Sequence, residues 1–168
     1  MTNFSTLLTD ALGIDVPILL APMAGGPTTP ELVGAVSDAG GFGQFGAAYL
    51  SGDAIRDMAD QLQAHTNKGF GINLFIPEDP AVTDEETTAA TAAIAEYFAQ
   101  FGAPVPESVT NVMPDFDEQI TAVIEGGIKL CSFHLGLGPQ SSIDALKNAG
   151  VITVASVTSV AEGHEAEA

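Results

Sequence analysis

Residues 16–46 read VPILLAPMAGGPTTPELVGAVSDAGGFGQFG. An apolar run, Val16–Leu20, breaks into a turn with two prolines and two glycines. Thr29 then offers an N-cap, Pro30 fits the first helical position and Glu31 falls in the first turn. Leu32, Val33 and Val36 follow at helical spacing, Gly40 reads as the stop, and Gly41–Gly46 is a second β-type run. Strand, helix, strand within about 30 residues is the unit of a parallel α/β fold.

The unit recurs. Ser51 is placed to cap a helix over SGDAIRDMADQLQAHT, with Ile55, Met58, Ala59 and Leu62 on one face, and it leads to a third run, Phe70–Phe75. A fourth run, Lys129–His134, precedes a helical PQSSIDALKNAG with Ile143 and Leu146 inward. A fifth run is Val151–Ala155. Starts of the first three runs are spaced as a (β/α)₈ barrel requires, roughly 31 residues per unit. Spacing alone leaves a doubly wound sheet open. Residues 76–128 break the rhythm. Thr83 or Asp84 can cap a helix through Phe98 with Ile94, Tyr97 and Phe98 apolar; a proline-rich connector, Gly102–Pro114, and a helix, Phe116–Glu125, follow. We read residues 77–128 as an excursion at the C-terminal end of the third strand, inside one domain covering 1–168. Five runs do not close an eight-stranded wall, so the expectation is a fragment or a sheet completed by association.

Composition narrows the function. Of 168 residues, 46% are apolar and 15% charged, which suits a packed core. Acidic residues number 22 against four Lys or Arg, a net charge of −18 that disfavours nucleic acid and anionic membranes. No apolar run is long enough to span a bilayer, and the N-terminus lacks a basic, apolar leader. The single cysteine, Cys131, precludes an internal disulfide. A cytoplasmic protein is expected, its oligomeric state left open by the sequence. A phosphate-bearing ligand would have to be held by backbone N–H groups, because basic side chains are so few.

Parallel α/β proteins carry their sites at strand C-termini. Those ends supply Ala21, Pro22, Met23 and Ala24, then Gln44, Asn73, His134, and Ser156 with Thr158. The set is polar but nearly uncharged. It contains no paired carboxylates, no Cys/His metal set and no Ser-His-Asp order, so a metal is not expected. A neutral lining with exposed backbone suits a large planar cofactor. His134, at a strand end before Gly-Leu-Gly-Pro, is the candidate acid, base or anion partner, against the plainer reading of a histidine satisfied by a carbonyl. Asn73, a lone amide in GINLF, either bonds a neighbouring loop or meets a cofactor's polar ring edge. His65 and His164 read as surface residues and Cys131 as a small apolar group in its strand. Gly41–Gly46 has GxGxxG spacing, but it lies within a strand rather than between strand and helix and is discounted.

Taken in order, PILLAPMAGGPTTPELVGAVSDAGGFGQFGAAYLS, KGFGINLFIP, FDEQITAVIEGGIKLCSFHLGLGP and LKNAGVITVASVTSV resemble the nitronate monooxygenases, formerly 2-nitropropane dioxygenases, of the bacterial class I type. APMAGG, GxNLF and SFHxG together carry the resemblance. It implies a TIM barrel binding FMN at its mouth, here the first five βα units. Ala21, Pro22, Met23, Ala24, Asn73 and Ser156 would contact the cofactor, and His134 would be the catalytic base or anion partner. It also implies oxidation of alkyl nitronates by O₂ to carbonyl compounds and nitrite. Family members run to about twice this length, and their later strands supply the phosphate-binding loops. The isolated chain is therefore expected to purify largely colourless. A related FMN barrel reductase, of the enoyl-ACP or NAD(P)H:quinone type, is the second reading, and a non-catalytic remnant the third.

Overall fold

In the computed structural model, residues 4–77, 82–105 and 113–167 are described. They fall into two compact units, one of Met1–Pro77 with Met113–Ala168 and one of Glu78–Val112.

The larger unit runs α1 (Leu7–Leu12), α2 (Pro30–Asp38), β1 (Gly43–Gly46), α3 (Gly52–His65) and β2 (Phe70–Phe75). After the smaller unit's helix α4 (Asp84–Gln100), it continues with α5 (Phe116–Glu125), β3 (Leu130–His134), α6 (Gln140–Asn148), β4 (Ile152–Ala155) and α7 (Val160–Glu167). All three strand pairings are parallel, in the sequential order β1-β2-β3-β4. A doubly wound sheet reverses direction part-way; this one advances in a single direction, as a barrel wall does.

The caps form as the sequence predicts. Thr29 and Ser51 accept from the backbone N–H groups of Leu32 and Ala54, and Gly40 is left-handed at φ 92°. One expectation is corrected. Val16–Leu20 is not a full strand; only Leu19 bridges, to Phe42, with Phe42 N donating to the Ile18 carbonyl and Leu20 N to the Phe42 carbonyl, both at 2.9 Å. Pro17 has no N–H to give the ladder. Val16 N instead bonds the Gly40 carbonyl at 3.1 Å, and Ile18 N turns back to Val16 O at 2.8 Å. Helix α1 also lies where the sequence reading placed no element.

Alternation along the strands separates two faces. Phe45, Ile72, Leu74, Cys131 and Phe133 pack against Val33 of α2, Ile55 and Leu62 of α3, Ile120 and Val123 of α5, and Leu146 of α6. Ser37, buried in α2, ties helix to sheet by donating to the Gly69 carbonyl (3.1 Å) and accepting from Gly43 N (3.0 Å). The other face is the barrel interior. Its lower part is apolar: Phe42 and Leu130 join Leu12 of α1, with Ile14, Leu19 and Ile152 against them. Lys129 Nζ holds this floor by donating to the Leu12 carbonyl at 2.5 Å, a cation on the last carbonyls of a helix.

Within the smaller unit, α4 starts at a capping box in which Thr83 and Glu86 bond each other's backbone. Its helix extends two residues past Phe98. Ile94 and Tyr97, expected on its apolar side, are exposed. Part of the proline-rich connector, residues 106–112, lies outside the described residues. No helix among the described residues is long and apolar enough to cross a membrane.

Candidate functional site

The interior face turns polar above the floor. Register pairs Gly46 with Asn73 and Asn73 with Ser132, while Phe75 sits beside His134 one step further up. Asn73 is 1% exposed. Its Nδ2 lies 3.0 Å from the Ser132 carbonyl, 2.9 Å from Ser132 Oγ and 2.7 Å from His134 Nδ1. Ser132 Oγ in turn donates to Gln44 Oε1 at 3.1 Å, and Gln44 Nε2 reaches the Leu20 carbonyl at 3.5 Å. Four side chains from three strands thus form one buried hydrogen-bonded belt, as buried polar groups require. Among the described residues, no buried side-chain polar atom lacks a partner.

The Met23–Ala24 backbone packs onto the same rim. A Cβ on Gly46 would collide with the backbone nitrogen of Ala24 and stand 2.6 Å from Met23 C, so only glycine admits the loop this close. Buried Thr28 fixes the loop by accepting from Met23 N at 2.9 Å. Met23 remains 40% exposed, while Gly25 and Gly26 are left-handed and border open space. Ser156 follows β4, donates its N–H to the Phe133 carbonyl at 2.9 Å and is exposed beside the His134 strand end. An aromatic edge runs from Tyr49 to Phe75 (5.8 Å between centroids) and from Phe75 to His134 (6.3 Å).

The expected residues therefore gather along one strand-end edge. Asn73 and His134 touch directly; the Met23–Ala24 backbone reaches that row through Gly46, and Ser156 lies at its far side. The sequence reading missed Ser132, which looks like any small strand residue until the register sets it against Asn73, 59 positions away. It also missed Leu135, exposed at φ 69° immediately after His134. A left-handed leucine costs about 1–2 kcal/mol, and such strain concentrates at functional turns.

No Lys or Arg serves this rim. Arg56 is bound to Asp53 (2.9 Å) and Glu125 (2.6 Å), Lys129 serves the floor, Lys68 precedes β2 and Lys147 lies in the last turn of α6. The rim offers exposed backbone, a thioether, an aromatic edge and an amide–imidazole pair. That set fits an uncharged planar ring with a polar edge; it does not supply cations for a phosphate.

A family profile described as nitronate monooxygenase matches residues 5–168. The chain belongs to the nitronate monooxygenase family. Nitronate monooxygenase from Paraburkholderia phytofirmans is 37% identical over 161 residues, covering 94% of this chain and 43% of that protein. A probable nitronate monooxygenase from Staphylococcus saprophyticus is 36% identical over 160 residues, covering 95% and 45%. Among solved structures, nitroalkane oxidase from Streptomyces ansochromogenes superposes with a TM-score of 0.83 at 28% identity, covering 96% of this chain and 45% of that one. FabK from Thermotoga maritima gives 0.67 at 27% identity, covering 97% and 40%. The chain spans less than half the length of these relatives and corresponds to their N-terminal portion. The fold is thus the first part of a TIM barrel, as the sequential parallel sheet indicates.

Proposed function

We propose that this nitronate monooxygenase family chain is the N-terminal part of one FMN-binding barrel domain, with residues 77–128 as an excursion from its wall. The barrel would oxidise alkyl nitronates with O₂ to carbonyl compounds and nitrite. The observation that carries this reading is the contact between Asn73 and His134 on a neutral, partly apolar rim beside the Met23–Ala24 loop. When bound, FMN supplies the redox chemistry, taking electrons from the nitronate and passing them to O₂.

The chain's own residues do the rest. The backbone of Ala21–Ala24 and the Met23 thioether offer contact to the ring, the thioether as a soft apolar surface without charge. Asn73 Oδ1, which no protein group among the described residues bonds, is the amide atom left for a polar ring edge. Ser156 is placed to bond the far side of the cofactor, and His134 meets the reacting anion or its proton. Phosphate contacts are assigned to backbone N–H groups elsewhere in the barrel, since the rim has no cation to give. A cytoplasmic setting agrees with the single buried thiol.

The test is aerobic turnover of an alkyl nitronate by a chain that carries the rest of the barrel, with FMN supplied, read as O₂ uptake and nitrite. We expect His134→Asn to lower turnover at least about tenfold to a hundredfold, the low range for a lost acid–base or anion contact, with flavin binding retained. Unchanged turnover removes His134 from the reaction. NAD(P)H consumption without nitronate turnover would replace this reading with the FMN-barrel reductase one.

A further inference from the structure

His134 can act only as its protonation allows, and the buried belt dictates which ring nitrogen carries the proton. A backbone carbonyl only accepts. Asn73 Nδ2, 3.0 Å from the Ser132 carbonyl, must therefore be the amide's NH₂ end. The second carbonyl, of Leu20, orients Gln44 in the same way, turning its Oε1 toward Ser132. Ser132 directs its single proton to Gln44 Oε1 at 3.1 Å, with the Ile72 carbonyl at 3.5 Å as the other acceptor, and with either one meets Asn73 as an acceptor. One Asn73 proton is shared between the Ser132 carbonyl and hydroxyl. The other points at His134 Nδ1, 2.7 Å away. Every hydrogen bond runs the same way, and the last one ends on a ring nitrogen that must accept.

We propose that Asn73 is the positioning residue that holds His134 as its Nε2–H tautomer, with the Ser132 carbonyl, Ser132 Oγ and Gln44 fixing the direction in which Asn73 donates. The imidazole then presents a hydrogen-bond donor at Nε2, which has no protein partner among the described residues. A donor there suits an anionic oxygen or a ring acceptor on a ligand. The proposal rests on the functional reading above only for what meets Nε2; the tautomer itself follows from the carbonyls. Register explains why the arrangement is rigid. Asn73 and Ser132 are paired in adjacent parallel strands, and His134 stands two residues beyond Ser132 on the same face.

The experiment is long-range ¹H–¹⁵N correlation of the imidazole rings in protein labelled with ¹⁵N-histidine, with no flavin or substrate added. The chain has three histidines, and His134→Asn assigns the relevant ring by loss of its signals. We expect an unprotonated Nδ1 and a protonated Nε2 at His134. Asn73→Asp, which can only accept, should place a proton on Nδ1. Ser132→Ala should leave Nε2–H in place, because the backbone carbonyl still orients Asn73. Nδ1–H in the unaltered protein overturns the proposal. So does an Nδ1 that stays unprotonated in Asn73→Asp, or a switch to Nδ1–H in Ser132→Ala. Failure of nitronate turnover would leave these spectra unchanged, and the spectra could fail while turnover stands.

Discussion

Gly46→Ala is the most direct probe of how the rim is assembled. Gly46 is extended, so alanine is free of backbone strain and meets only a steric obstacle. Its Cβ would sit 2.6 Å from Met23 C and 2.9 Å from Ala24 Cα, and closer still to Ala24 N. Ordinary contact begins near 3.4 Å, so the loop must retreat by about 0.8 Å or more. Backbone atoms cannot rotate aside as a side-chain tip can. Such overpacking costs about 1–3 kcal/mol. Taken as about 2 kcal/mol, it lowers Tm by about 4–8 °C for a domain of this size. The assay is thermal unfolding followed by circular dichroism, with limited proteolysis in the 21–26 loop alongside. Gly25→Ala is the control: nothing lies within 4 Å there, and φ of 84° leaves only the left-handed penalty of about 1–2 kcal/mol without displacing the loop from β1. A Gly46→Ala protein melting within about 1 °C of the parent, with unchanged loop cleavage, would refute the close-approach argument.

Two further outcomes follow from buried groups. Gln119, in α5, donates to the Leu50 carbonyl at 2.7 Å and lies 3.4 Å and 3.5 Å from those of Ala48 and Ala47, pinning the segment that leaves β1. Gln119→Leu should cost about 1–3 kcal/mol in urea unfolding by stranding the Leu50 and Ala48 carbonyls, and equal stability would show that water replaces the amide. Burial pushes the Cys131 thiol up, so the folded protein keeps its proton where the unfolded chain, ionising near roughly pH 8.5, loses it. That contribution is complete below pH 8.5 or so and is lost as pH rises, by up to about 1.4 kcal/mol per pH unit. Cys131→Ala should flatten the alkaline decline of unfolding free energy by that amount, and an identical slope in both proteins would contradict it.

Local chemistry made much of the fold readable. Thr29, Ser51 and Thr83 are caps because their hydroxyls have a backbone N–H to meet, and that is decided within four residues. Asn73 and His134 stood out as polar residues at strand ends. What stayed hidden depends on pairing between distant segments. Ser132 becomes a site residue only through its register with Asn73, and the direction of the belt depends on the carbonyl of Leu20, 24 positions from Gln44. The shortened first strand had a local cause, Pro17, whose missing N–H an apolar count cannot register. The left-handed Leu135 gave no warning either, since leucine is not a residue that marks such a turn.

The apolar floor has a consequence for the belt above it. Leu12, Phe42 and Leu130 close the interior from below, with the Lys129–Leu12 contact acting as a latch. This face of the wall is consequently floored beneath the belt. Along the belt Gln44 and Ser132 are each 6% exposed and Asn73 only 1%, while His134 is half-buried. His134 is the belt's most open member, and whatever meets its ring is one 2.7 Å hydrogen bond from the buried Asn73 amide.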